Sequence, residues 1–313
     1  MDAKEQRPRW KTLLAFAIIY FVWGSTFLAI RIGDRTLPPL LFAALRFLAA
    51  GTVLYVWMIA HGERQPTRRQ WASAILLAFL IFVVDYGFLF WAEQRVPSGL
   101  AAVMMATIPV FTALSEIAIL RTRRLTLRLV LALLIGIAGV AVLMSHSLNL
   151  RGTPIETNGA LALVGGSISW SVASALSRKF PLPSSKVMSS GSQMLAGGIL
   201  LTITAGAFGE FRTFRPFAVS SLAWLSLLYL IVAGSITGFT AYVWLLHHES
   251  PTKVSTYAYV NPIVAVILGY FLGGETLGLR TILGTLFVLI SVVVITTTPA
   301  KKLTTNFSPS NST

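Results

Sequence analysis

The sequence predicts an all-α membrane protein: ten transmembrane helices arranged as two inverted five-helix repeats around a central cavity. Three observations carry this. Of 313 residues, 55% are hydrophobic and only 12% charged, with a mean hydropathy of +0.74, whereas a soluble domain carries about a quarter charged residues to solvate its surface. Apolar runs of about 20 residues, long enough to cross a hydrocarbon layer roughly 30 Å thick, recur between short breaks. The second half repeats landmarks of the first at a nearly constant offset.

The first span, 12–31, follows the basic segment MDAKEQRPRWK. Its length and the lack of a small-residue cleavage pattern after it read as a span rather than a cleaved signal. A break that includes Pro38-Pro39 precedes 40–60, and the basic stretch 61–70 separates that span from 71–91. Span 98–120 begins at Pro97-Ser98, and the arginine-rich 121–128 leads into 129–145. The second half gives 159–177, 187–208, 221–245, 253–273 and 281–298. These bound a first repeat, 12–145, a second, 159–298, and a polar tail, 299–313, that lacks periodicity and reads as a disordered cytoplasmic extension.

Lysine and arginine set the orientation. With the N-terminus inside, cytoplasmic segments hold 17 of the 25: four before the first span, three in 61–70, four in 121–128, three in 178–186, then Lys253, Lys301 and Lys302. The other side holds seven, and Arg46 lies within a span. This bias places both termini in the cytoplasm of an inner (plasma) membrane. It also explains the net charge of +14 without a nucleic-acid partner, because the basic residues fall in loops between apolar runs.

At an offset of 147, Trp23 aligns with Trp170, Arg31 with Arg178, and Leu48-Ala49-Ala50-Gly51 with Leu195-Ala196-Gly197-Gly198. Further on the offset drifts to 152–154 and pairs Pro97 with Pro251, Pro109 with Pro262, and Arg128 with Arg280. A duplicated unit with an odd number of spans enters the membrane in opposite directions, a layout common in secondary transporters.

Trp23-Gly24-Ser25-Thr26, Arg31, Pro38-Pro39, Arg46-Phe47, Ala92-Glu93-Gln94 with Pro97-Ser98-Gly99, Ala106-Thr107-Ile108-Pro109, and Tyr257 to Pro262 with Gly274-Glu275 resemble the EamA-type branch of the drug/metabolite transporter superfamily. The resemblance implies a ten-helix basket around a central cavity and export of amino acids, related metabolites or drugs. Two departures stand out. Asp85-Tyr86 occupies a stretch where the family often has asparagine, and Arg123 stands near the first-half equivalent of Glu275.

Three ionisable residues fall well inside spans: Arg46, Asp85 and Glu116. Each costs several kcal/mol if it faces lipid, so each is expected to face the bundle or a wet cavity. Arg46 and Asp85 lie at the same depth, about four residues or roughly 6 Å outside the span centres. Level placement suggests an interhelical pair, either a structural tie or one that opens for a charged substrate or a proton. Glu116, toward the cytoplasmic end, is either a partner of Arg121, Arg123 or Arg124 or part of an inner gate.

Trp23, Trp170, Tyr257 and Asn261 near the midplane, together with Tyr86 and Tyr242, are candidates for a substrate cavity, with Pro109 and Pro262 as gate or hinge positions. A mid-span proline removes a backbone donor and frees a carbonyl that lipid cannot satisfy. Ser167, Ser171, Ser174 and Arg178 share one helical face and read as either packing glue or cavity wall.

Enzyme chemistry finds little support. The four histidines, His61, His146, His247 and His248, sit at span ends or in loops; there is no cysteine, no HExxH and no phosphate-cradling Gly-Lys-Ser/Thr loop. The expected partners are a small-molecule substrate and the lipid bilayer, with no cofactor and no metal. The oligomeric state stays open, with a monomer as the starting expectation.

Overall fold

The computed structural model describes residues 9–121, 126–144, 157–248, 254, 257–274 and 278–297. The expected tail at 299–313, and Arg123, Arg124 and Glu275, lie outside these.

Among the described residues the chain is helical, and seven helices are long and apolar enough to cross a membrane: α1 (Arg9–Gly33), α2 (Pro39–Ala60), α3 (Arg68–Glu93), α4 (Ser98–Leu120), α6 (Thr157–Leu176), α7 (Lys186–Ala207) and α8 (Ser221–Tyr242). Helices α5 (Leu127–Met144), α9 (Tyr257–Phe271) and α10 (Leu279–Thr297) carry shorter apolar stretches. Local chemistry sets their ends. Thr67 and Gln70 form a reciprocal capping box before α3, while Ser185 and Ser220 cap α7 and α8 through the Met188 and Ala223 amides. Pro39 opens α2, where the amide it lacks would have no helical acceptor.

The two halves match in detail. Helices α2 and α7 both have 22 residues, start 147 residues apart, and are each followed two residues past their end by a glycine, Gly62 and Gly209, whose φ values of 81° and 77° suit glycine. They also pack against each other reciprocally. Gly51 lies on the backbone of Leu195, and a Cβ on Gly198 would stand 2.5 Å from the Leu48 nitrogen. Only glycine permits such backbone contact between apolar helices.

Other packing follows the same exchange. Helix α1 packs on α8 and α9 as α6 packs on α3 and α4; α2 packs on α8 as α7 packs on α3. The self-matched pairs are α2 with α7, α4 with α9 and α5 with α10. A buried core of Phe42, Phe47, Phe82 and Phe90 fills the α2–α3 contact, with ring centroids 4.7 Å apart for Phe47–Phe82 and 5.1 Å for Phe42–Phe90. Leu131, Leu134 and Ile137 of α5, and Leu283, Leu286 and Ile290 of α10, are exposed, as lipid-facing side chains should be.

Two irregularities shape the interior. Residues 79–86 of α3 and 230–237 of α8 each wind as an eight-residue π-helix, and shorter π segments occupy 18–22 of α1 and 116–120 of α4. A π turn widens the backbone, re-aims side chains and leaves carbonyls for outside donors. Helix α4 breaks at Ala106–Thr107, where the Thr107 hydroxyl donates to the Met104 carbonyl at 2.6 Å. Pro109 then lies within the first turn after the break. Pro262, by contrast, sits inside a continuous α9, so the two aligned prolines do not produce matching kinks.

Candidate functional site

The centre of the bundle holds a cavity of about 80 Å³, room for a few water molecules or a small solute. Of the eight residues the sequence nominates for it, Trp23, Arg46, Asp85, Tyr86, Trp170, Tyr257 and Asn261 line it. Tyr242 does not. It stands behind the wall, its ring 5.1 Å from Trp23 and 6.1 Å from Tyr257. Thr26, Phe27, Leu89, Met105 and Pro262 complete much of the lining. Apart from Pro262, these have no charge or mid-span anomaly to single them out in sequence.

Trp23 is fixed at both ends. Its indole N–H donates to the Gly234 carbonyl at 3.0 Å, an acceptor in the π segment of α8. The ring packs edge-on to Tyr257 with centroids 5.1 Å apart. Trp170 reaches the cavity from the second half and lies 6.1 Å from Tyr86, itself sandwiched near Phe47 and Phe82.

Arg46 is 2% exposed. Its Nε donates to the Ser235 hydroxyl at 2.9 Å, again from the α8 π segment, and its guanidinium lies 4.8 Å from the Phe47 ring and 5.3 Å from Tyr86. Its Nη1 has no acceptor. Asp85 is also 2% exposed and its Oδ1 has no donor. A Cβ on Gly166 would stand 3.0 Å from that oxygen, so α6 presents bare backbone to the carboxylate rather than a hydrogen-bonding side chain.

The expected Arg46–Asp85 pair is therefore corrected: among the described residues Arg178–Glu116 forms an ion pair within 4 Å, and Arg46–Asp85 does not. Equal depth does not fix rotation about each helix axis, and the π turn at Asp85 changes its facing. The two groups line one cavity without bonding to each other.

Glu116 meets Arg178, a residue of the other half, with 3.7 Å between Nη1 and Oε1. Beside it Lys179 donates to the Ile119 carbonyl at 2.7 Å, so the ends of α4 and α6 are joined. The serine stripe is glue. Ser171 donates to the Ile108 carbonyl and receives a hydrogen bond from Thr112, while Ser167 bonds within α6 and contacts the Met105 sulfur; none of these serines lines the cavity. Among the described residues no cluster of three metal-ligating side chains occurs.

A bundle of apolar helices around a small cavity lined by buried charges and aromatic rings defines a polytopic membrane protein with a solute-sized interior site. The EamA-like transporter family model matches residues 10–145 and again 157–297; the chain belongs to this family. It is 39% identical over 284 residues, 90% of this chain and 89% of the other, to the Escherichia coli (strain K12) protein named uncharacterized inner membrane transporter YedA. It is 24% identical over 272 residues to protein PagO of Salmonella typhimurium (strain LT2), covering 86% of this chain and 88% of that one. A solved structure described only as a crystal structure of protein superposes with a TM-score of 0.62 over 92% of this chain and 96% of its own, at 21% identity, and so shares the fold.

Proposed function

We propose that this protein is a secondary transporter of the inner membrane that exports zwitterionic amino acids or similarly small metabolites. One observation carries the substrate reading: Arg46 and Asp85 line the same cavity without compensating each other. Buried, unpaired charges cost several kcal/mol each. A ligand bearing both a carboxylate and an ammonium group would satisfy them together, the carboxylate on the Arg46 guanidinium and the ammonium on Asp85. Trp23, Tyr86, Trp170 and Tyr257 would exclude water around it.

A second reading, export of cationic compounds, is favoured by Asp85 among those aromatic faces, but Arg46 in the same wall opposes a purely cationic ligand. The cavity volume of about 80 Å³ also favours a small solute, since sites for drug-sized ligands run to several hundred Å³.

Alternating access between two inverted five-helix halves is the proposed cycle. The exchangeable packing, the matched π segments and the reciprocal Gly51–Gly198 crossing support it. Contacts join the halves at two places, the Glu116–Arg178 pair and the Glu210 carboxylate, which accepts from the Leu41 amide of α2 at 2.7 Å, and each would open in turn. The inner-membrane location is supported by the name of the Escherichia coli relative, and export is what the family resemblance implies. The test is counterflow: purified protein in liposomes loaded with each standard amino acid should accumulate the labelled form of its substrate unchanged. A panel in which no amino acid exchanges, while a lipophilic cation does, would favour the second reading.

The proposed orientation makes 121–128 cytoplasmic and 209–220 external. Because the chain has no cysteine, Phe217→Cys should react with an impermeant maleimide in sealed cells, and Arg121→Cys should react only after permeabilisation. Labelling of Arg121→Cys in sealed cells would reverse the assignment.

A further inference from the structure

We propose that Asp34 and Glu210 form a proton-binding latch that holds the outer ends of the two halves together. Glu210, in the connection between α7 and α8, reaches across to the first turn of α2. Its Oε1 accepts from the Leu40 amide at 3.2 Å and its Oε2 from the Leu41 amide at 2.7 Å. Pro38, the residue preceding α2, provides no side-chain cap, so a carboxylate from the second half satisfies amides that α2 itself leaves open. Nearby, Thr36 and Ser220 bond across the same boundary: the Ser220 amide donates to the Thr36 hydroxyl at 3.3 Å, and the two hydroxyls lie 3.4 Å apart.

Asp34, just past the end of α1, is 7% exposed, and neither carboxyl oxygen has a hydrogen-bond partner. Two charged groups act on it, Glu210 of the facing connection and Arg31 of its own helix. The Arg31 Nη1 donates to the Glu93 and Val96 carbonyls at 2.5 and 2.7 Å. From the end of α3, Gln94 reaches only the Asp34 backbone carbonyl, at 3.5 Å. A carboxyl group placed in this way, buried without a donor and beside a second carboxylate, is held most cheaply as the neutral acid.

Burial, and then Glu210, push the Asp34 carboxyl well above its ordinary range against the weaker pull of Arg31. Burial also raises Glu210, against the two α2 amides. Both groups therefore bind protons more tightly with the junction closed than in water. Closing takes up protons: acid outside favours the closed latch, which loosens as pH rises through the raised values.

The proposal rests on the reading that the halves part at this end, but it needs no substrate. Nitroxide labels on Arg35→Cys and Phe217→Cys, exposed positions on the two sides of the boundary, report the separation by pulsed electron resonance in liposomes. Between about pH 9 and about pH 5 the short-distance population should grow, by up to about tenfold per pH unit for each proton taken up. Asp34→Asn with Glu210→Gln should abolish that pH response. A distance distribution in the otherwise native protein that ignores pH overturns the latch, even where counterflow is intact. So does a double variant that keeps the native pH shift. Should the double variant not fold, the native measurement alone decides.

Discussion

Asp85→Asn is expected to leave a folded protein in the membrane that no longer transports its substrate at a useful rate. In a structural ion pair, removing the carboxylate would strand a buried guanidinium at a cost of about 3–5 kcal/mol, and expression would collapse. Here Asp85 makes no such pair: its Oδ1 has no donor, and Arg46 rests on Ser235, Phe47 and Tyr86. Asparagine keeps the shape and removes the cost of burying a charge, so yield and monodispersity in detergent should hold or improve. A charge-assisted hydrogen bond to a ligand ammonium is worth about 1.5–3 kcal/mol, which converts to an affinity loss of roughly 10- to 150-fold. Counterflow half-saturation checks this. Loss of the protein itself, restored when Arg46 is also neutralised, would reinstate the pair.

Arg46→Met should have the larger effect on a carboxylate-bearing substrate. The guanidinium offers parallel donors in a fixed plane, and Ser235 holds that plane through Nε. Removing it should abolish measurable exchange, a loss of about 100-fold or more if two charge-assisted bonds are forfeited. Arg46→Lys keeps the charge without the planar fork and should recover only part of the activity. Ser235→Ala, which loosens the aim and leaves the charge, should cost no more than about tenfold. If Ser235→Ala and Arg46→Met were equally inactive, Arg46 would be a packing element rather than a ligand contact.

Much of the fold is readable in the residues. The 147-residue offset found from Leu48–Gly51 and Leu195–Gly198 reappears in the start and length of α2 and α7 and in their glycine ends, because those residues are where the two backbones touch. The convergence of Trp23, Trp170, Tyr257 and Asn261 on one cavity follows from mid-span position and from polarity too costly to face lipid. Rotation is what the residues do not disclose. Arg46 and Asp85 are level, yet whether they meet depends on how each helix turns, and the π segments alter that turn through tertiary bonds such as Trp23 to the Gly234 carbonyl. Tyr242 stands behind Trp23 for the same reason. Ser171 faces α4 because the break at Ala106–Thr107 brings the Ile108 carbonyl within reach, a break that no single residue announces. Asp34 follows the first span as an ordinary loop acid in sequence; that it is buried and feels Glu210, more than 170 residues away, is a product of tertiary structure.

The central claim is that one cavity recognises both ends of a zwitterion, the carboxylate at Arg46 and the ammonium at Asp85. The most direct measurement sets three ligands of equal side chain against the native protein and its two variants in proteoliposomes: the amino acid accepted in counterflow, its decarboxylated amine, and its deaminated acid. The account predicts that the native protein binds the amino acid at least about tenfold more tightly than either analogue. Asp85→Asn should then lose the preference for the amino acid over the acid, and Arg46→Met the preference over the amine. Equal affinity of the native protein for the amine and the amino acid, unchanged in Arg46→Met, would contradict it.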